Sequence, residues 1–352
     1  MPAHLSRPLA VGTGIVLLVT GLVLVMLLST DWLDGPLGVG RRMALAAELY
    51  VVEADGTSRA SLTDEPGLMH WGPALSPDGQ TLVYTFALPL EPGVLVLANA
   101  DSTGRRPFAV GRATGYLAVW SRDGSRLAYI AQEGGDTDTA ELMVMDADGN
   151  NPRRLTTNQA PEYGASWSPD GRRIAFGSKQ DGIWRIYVID VEGSDMRALV
   201  GSEQGNAPSW SPDGRMIAFT SDRMGNDDIY VVDAEGGPAR RLTTANRHHD
   251  NAVWSPDGRQ LAFNSDRDGT NDLFVMDADG GNLRNLTRTP ELAEVVATWT
   301  PDGQRLIVSA NALERAGVWP GPALRGVGLG LLTGLMAAIL LMRSPSQTVQ
   351  GS

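Results

Sequence analysis

From about residue 43 to residue 311 the apolar positions fall into short runs of five to seven, each closed by a polar turn. RRIAFGS at 172–178 and RMIAFTS at 215–221 are followed by polar turns, and then by DIYVVD at 228–233 and DLFVMD at 272–277. Such runs are too short for core helices and rich in β-branched and aromatic residues, so they predict strands. They are apolar nearly throughout, which predicts sheets covered on both faces. Two longer runs lie outside this region. Residues 9–28, LAVGTGIVLLVTGLVLVMLL, carry no charge, and residues 326–342, GVGLGLLTGLMAAILLM, carry none either. A helix rises about 1.5 Å per residue, so twenty residues match a bilayer core of about 30 Å.

The strand runs belong to a repeat. SPDG or a close variant recurs at 76–79, 121–124, 168–171, 211–214, 255–258 and 300–303. The second copy has Arg122 in place of proline, and the last has Thr300 in place of serine. Five copies follow a tryptophan (Trp120, Trp167, Trp210, Trp254, Trp299), and Leu75 takes that place in the first. A period in the mid-forties suits four short strands per unit, the pattern of a propeller blade. Proline, aspartate and glycine each favour a tight turn for their own reason. The unit closes in LT at 155–156, 242–243 and 286–287. Six inner strand pairs surround the turns, yet the last has no outer pair after it. A matching outer pair, ELYVVEADGTSRASLT, stands at 48–63 instead. The expected architecture is therefore an all-β, six-bladed β-propeller closed by its N-terminal strands, which removes the open sheet edge.

The string W-SPDG-xxIAF-xSDRxGxxDIYVxDADG-xxxRLT resembles the TolB-like, PD40-type (WD40-like) propeller family over roughly residues 43–311. That resemblance implies the fold and hardly constrains function, since propellers serve as scaffolds, peptidase gate domains and lyases. The first two blades depart most from the pattern, at Leu75, Arg122, Pro89, Pro92 and the insertion at 132–140.

The expected organisation is a cytoplasmic N-terminus (1–8), a transmembrane helix (9–28), a linker (29–42), the propeller (43–311), a linker (312–325), a transmembrane helix (326–342) and a cytoplasmic tail (343–352). Arg7 before the first span, with Asp31 and Asp34 after it, places the propeller on the extracytoplasmic, periplasmic side of a bacterial cytoplasmic membrane. A cleaved signal peptide is the alternative for the first segment. A buried or interfacial helix is the alternative for the second.

The acidic balance, 41 acidic against 29 basic residues, argues against a nucleic-acid partner, because binding its phosphates draws on clustered lysine and arginine. The absence of cysteine excludes disulfides, thiolate metal sites and cysteine nucleophiles. The chain contains no GxSxG elbow and no HExxH. No cofactor is expected. The DADG turns at 146–149 and 277–280 lack the glycine and glutamate spacing of a calcium loop and read as hairpins. The tryptophans, one per blade before a turn, read as packing between blades.

The segments joining each LT to the next turn differ from copy to copy, and rigid scaffolds carry function on such loops. Six and five residues before each turn stand His70 and Trp71, Gly115 and Tyr116, Glu162 and Tyr163, Gly205 and Asn206, His249 and Asp250, and Glu294 and Val295. His70, Trp71, Tyr116, Glu162, Tyr163, Asn206, His249, Asp250 and Glu294 are the binding candidates, at the mouth of the central channel. A metal held by His70, His249, Asp250 and Glu162 is conceivable from ligand type alone. The expected function is a membrane-anchored scaffold that binds a protein or peptide partner in a cell-envelope complex. The alternative is a lyase or hydrolase acting on carbohydrate or peptide at the mouth, with acid and base drawn from Glu162, His249, Asp250 and Glu294.

Overall fold

The computed structural model describes residues 42–88, 93–107, 114–132, 140–158, 160–244 and 247–314. Both apolar segments, most of the linkers, Pro89, Pro92 and nearly all of the 132–140 insertion lie outside the described residues. No helix among those described is long and apolar enough to cross a membrane.

The described chain is all-β. It starts with β1 (Arg42–Glu53) and β2 (Arg59–Ser61). Four-stranded antiparallel sets follow. The first comprises β3 (Met69–Leu75), β4 (Thr81–Ala87), β5 (Val94–Asn99) and β6 (Arg106–Pro107). The second comprises β7 (Thr114–Trp120), β8 (Arg126–Gln132), β9 (Glu141–Asp146) and β10 (Arg153–Arg154). Next come β11 (Glu162–Trp167), β12 (Arg173–Ser178), β13 (Arg185–Asp190) and β14 (Arg197–Ala198). The set after that is β15 (Gly205–Trp210), β16 (Met216–Ser221), β17 (Asp228–Asp233) and β18 (Arg240–Arg241). Then come β19 (His249–Trp254), β20 (Gln260–Ser265), β21 (Asp272–Asp277) and β22 (Arg284–Asn285). The chain finishes on β23 (Leu292–Trp299) and β24 (Arg305–Glu314), and β24 pairs with β1, which pairs with β2. A single parallel bridge, Ala47 to Met69, joins this last group to the first set. Successive first strands touch one another in turn (β3, β7, β11, β15, β19, β23), and β23 touches β3 again. The arrangement is a propeller.

Each repeated residue has a physical task. In the turns the serine hydroxyl donates to the aspartate, as from Ser168 to Asp170 at 2.6 Å, and accepts the N–H five residues on, from Arg173 at 2.9 Å. The aspartate accepts the N–H of Arg172 at 3.1 Å. The tryptophan indole N–H donates into the neighbouring set: Trp120 to the Ala74 carbonyl, Trp167 to Val119, Trp254 to Ser209 and Trp299 to Val253, all at 3.1–3.2 Å. Trp210 instead bonds the Gly214 carbonyl of its own turn. The LT threonine accepts the N–H of the second residue of a third strand, from Leu142 to Thr156 at 2.9 Å and from Ile229 to Thr243 at 3.0 Å. Ser202 does the same for Ile186 at 3.1 Å. The DADG turns bond locally, Gly280 N–H to the Asp277 carbonyl and Gly281 N–H to Asp279.

The N-terminal strands make the same bonds as an ordinary outer pair. Thr63 accepts the Leu49 N–H at 2.9 Å. Ala54 N–H reaches the Gln304 carbonyl at 2.8 Å, just as Ala234 reaches Arg215 and Ala278 reaches Arg259. The core lies between the sheets, with Leu82, Leu127, Ile174, Ile217, Leu261 and Leu306 fully buried at one repeated position.

Candidate functional site

Each first strand holds an extra residue in its middle. The pairing register shifts between Trp71 and Ala74, Tyr116 and Val119, Tyr163 and Ala165, Asn206 and Ser209, and Asp250 and Val253. The fourth residue before the turn is left-handed in all five: Gly72 (φ 62°), Leu117 (53°), Gly164 (62°), Ala207 (47°) and Asn251 (54°). A β-bulge of this kind bends the strand and re-aims the side chains before it. Non-glycine residues at positive φ cost of order 1 kcal/mol or more each, so the surrounding sheet must hold them. The bulges crowd the channel at its waist. There Gly72, Leu117, Gly164, Ala207 and Asn251 line an apolar cavity of about 140 Å³. A β-carbon on Gly72 would lie 3.1 Å from the Leu117 side chain.

The bulge divides the candidates into two groups. The residues six before each turn were expected in connecting loops, but β11, β15 and β19 begin with them and β3, β7 and β23 reach them within three residues. His70, Glu162, His249 and Glu294 are buried. Strand alternation turns these side chains into the space between sheets rather than toward the channel. The imidazole of His70 contacts the Ala47 carbonyl at 3.2 Å and Glu65 at 3.0 Å, and Glu65 also pairs with Arg105. Glu162 accepts from the Leu142 N–H and the Thr156 hydroxyl, both at 2.7 Å, and from Asn158 at 2.9 Å. Glu294 accepts from the Thr289 hydroxyl at 2.7 Å and lies 4.0 Å from Arg59. His249 packs edge-on to Phe263, with ring centroids 5.7 Å apart. Neither of its ring nitrogens has a hydrogen-bond partner among the described residues. Among the described residues no hydrogen bond links these four to one another. Among the described residues no group of three or more histidine or acidic side chains could hold a metal ion.

The second group does converge. Trp71, Tyr116, Tyr163, Asn206 and Asp250 are each half-buried at the end of the channel away from the SPDG turns. The rings of Trp71 and Tyr116 stack with centroids 5.9 Å apart. Burial pushes the Tyr163 hydroxyl up to about 12, with smaller contributions from the charge of Asp250 and from Tyr116. These three residues come from different sets and lie near enough for Asp250 and Tyr116 to act electrostatically on Tyr163. Burial, and then the charge of Asp227, raises Asp250 to about 7, while the Asn251 side chain works the other way. Burial likewise raises Glu162 and Glu294 to about 7 and pulls His249 below its ordinary value.

The turn end of the channel is a second opening, missed in the sequence except for the departure at Arg122. Tryptophans 120, 167, 210, 254 and 299 and the turn prolines line a basin of about 590 Å³. The tryptophans thus do more than pack blades together: part of each lines this basin.

The sequence profile described as TolB beta propeller domain matches residues 40–206 and 124–319. A structure assigned to TolB of Agrobacterium tumefaciens is similar over 78% of this chain and 99% of that one, at 23% identity and a TM-score of 0.64. TolB of Acinetobacter baumannii is similar over 76% of this chain and 65% of its own length, just under two thirds, at 18% identity and a TM-score of 0.57. An oligogalacturonate lyase in complex with manganese is also similar, over 73% of this chain and 80% of that one, at 18% identity and a TM-score of 0.52. In sequence, dipeptidyl-peptidase 5 of Porphyromonas gingivalis is 36% identical over 67 residues, 18% of this chain and only 10% of that protein. At these identities the solved structures speak to fold alone. With its profile match covering most of its length, the chain belongs to the TolB β-propeller family.

Proposed function

We propose that this protein is a six-bladed propeller, closed by β1 and β2, that binds a protein or peptide partner at the mouth bearing Trp71, Tyr116, Tyr163, Asn206 and Asp250. One observation carries the reading. Aromatic and amide side chains from separate blades gather half-buried at one opening beside Asp250, while His70, Glu162, His249 and Glu294 are buried away from it. Tyrosine and tryptophan offer large contact area at small entropic cost and anchor many interfaces. The propeller domain spans 43–311. The apolar segments 9–28 and 326–342 anchor it to a bacterial cytoplasmic membrane, with the propeller on the periplasmic side and both termini in the cytoplasm.

An enzymatic reading has one observation in its favour: Asp250, at the same mouth, has its carboxyl raised to about 7, and perturbed groups cluster at active sites. A lyase or hydrolase also needs a second group within reach. No hydrogen bond joins Asp250 to Glu162, His249 or Glu294 among the described residues, so the binding reading is preferred.

The test is purification of the full chain from detergent-solubilised membranes, native and as Tyr116→Ala and Tyr163→Ala. A partner recovered with the native protein should be lost with both variants, while their melting temperatures stay near native. Equal recovery with native and variants would remove this mouth from the reading.

A further inference from the structure

The SPDG turns themselves form a ring at the other end of the channel. Each turn glycine faces the turn proline of the preceding blade. A β-carbon on Gly124 would lie 3.6 Å from Pro77, one on Gly214 3.6 Å from Pro169, and one on Gly258 3.6 Å from Pro212. The contact of Gly79 with Pro301, at 3.7 Å, joins the first turn to the last. The series breaks once. Gly171 has nothing within 4 Å, because the residue it should meet is Arg122 rather than proline. Arg122 leaves the ring and crosses the opening. Its guanidinium donates to the Pro212 carbonyl at 2.7 Å, two blades away. Arg122 is exposed, and among the described residues this carbonyl is its one hydrogen-bond partner.

Among the described residues Arg122 is also the sole charged side chain lining the basin of tryptophans and prolines. A guanidinium presents five donors in a planar fork suited to a carboxylate, and here one neutral acceptor occupies it. The turn aspartates nearby are committed: Asp123, Asp170 and Asp213 each accept from their own serine and from a backbone N–H, and these bonds hold them below the usual carboxylate range. The basin is open to solvent, so it cannot enclose a small molecule on most sides as ligand pockets do. It suits the end of a chain that continues outward.

We infer that the Trp- and Pro-lined mouth is a second binding site, for the C-terminal end of an apolar peptide, whose carboxylate takes the place of the Pro212 carbonyl on Arg122. The apolar side chains of the peptide rest against Trp120, Trp167 and Trp254, and the rest of its chain leaves through the opening. This site lies at the opposite end of the channel from Tyr116 and Tyr163 and is independent of the partner proposed there.

The test uses tryptophan fluorescence of the full chain titrated with an acetylated Ala-Leu-Phe tripeptide, as free acid and as C-terminal amide. The acid should bind at least tenfold more tightly than the amide. Arg122→Pro restores the turn found in the other blades and should fold as well as the native chain; it should bind acid and amide alike. Arg122→Gln repeats the comparison should the proline variant melt early. Tyr116→Ala should leave the acid's affinity unchanged. Equal binding of acid and amide by the native chain, or a preference retained without Arg122, overturns the proposal. Tighter binding of 3-phenylpropionate than of the peptide acid overturns the assignment to a chain end.

Discussion

Arg284 donates to the Ala54 carbonyl at 2.8 Å, a bond between residues 230 positions apart. It repeats a staple seen along the ring, from Arg153 to Val191, from Arg197 to Ala234 and from Arg240 to Asp279, in which a fourth-strand arginine reaches the outer turn of the next blade. The closing staple is therefore built like the others. Arg284→Ala should cost about 1 kcal/mol, the ordinary net value of such a bond. Deleting 48–63 should do far more, exposing the edge of β24 and producing aggregation. Urea denaturation of both variants checks this. A truncated chain with native stability would refute closure by β1.

The indole bonds between blades make a graded prediction. Trp167→Phe keeps an aromatic ring but loses the bond to Val119, so it should cost about 1 kcal/mol. Trp167→Ala also empties buried space and should cost about 3–5 kcal/mol. Equal effects in thermal denaturation would mean the indole N–H contributes nothing.

At the mouth of Tyr116 and Tyr163, truncation should act on binding rather than folding. Each Tyr→Ala change should weaken a bound partner by about 2 kcal/mol, roughly thirty-fold. Melting should move little by comparison with Trp167→Ala. Calorimetric titration with the recovered partner, beside a melting curve, separates the two effects.

Asp250 predicts a pH dependence. Its folded value, about 7, stands above the 3.8 of a free aspartate, so the folded state holds this proton more tightly. The unfolded state loses its proton first, and stability contributed by this group falls as pH rises from about 4 to about 7, then levels off. Asp250→Asn removes the titration. The variant should gain in melting temperature over the native chain at pH 8 and show little gain at pH 4. A difference that is constant across pH would show that Asp250 is not held protonated.

The LT threonines allow a further check. Thr156 accepts the Leu142 N–H and donates to Glu162, so Thr156→Val leaves the Leu142 N–H with Glu162 as its remaining acceptor and takes one of three donors from that carboxyl group. Loss of about 1 kcal/mol is expected, the ordinary net value of a hydrogen bond. Equilibrium unfolding measures it.

The turns, the strand runs and the early outer pair could be read directly, because SPDG and the β-branched runs encode local geometry. The tasks of the repeated residues were less visible. Nothing in the letters LT shows that Thr156 caps Leu142, since that bond joins residues 14 positions apart. The candidate site was read with its two groups merged. His70, Glu162, His249 and Glu294 stand beside variable residues and look like loop chemistry, yet they lie within the first three residues of strands and point between sheets. Their neighbours Trp71, Tyr116, Tyr163 and Asp250 face the channel. The difference is strand alternation just ahead of a bulge, and Leu117 or Ala207 at positive φ gives no compositional sign of that bulge. Arg122 was visible only as a departure, and what it does depends on Pro212, 90 residues away.

The pairing of β24 with β1 also sets a timetable for synthesis. Among the described strands, β1 and β2 leave the ribosome first, and the strand they must join leaves last. Each intervening blade can form on its own local contacts while the first pair waits without its neighbour. The final step closes a loop of more than 250 residues (from Val52 to Leu306), and long-range pairing of this kind is slow and leaves strand edges bare meanwhile. The outward side chains of β2, Arg59 and Ser61, are exposed and polar, which keeps the waiting pair from sticking to other chains. Ring closure is thus the natural checkpoint between a nascent chain and a finished one.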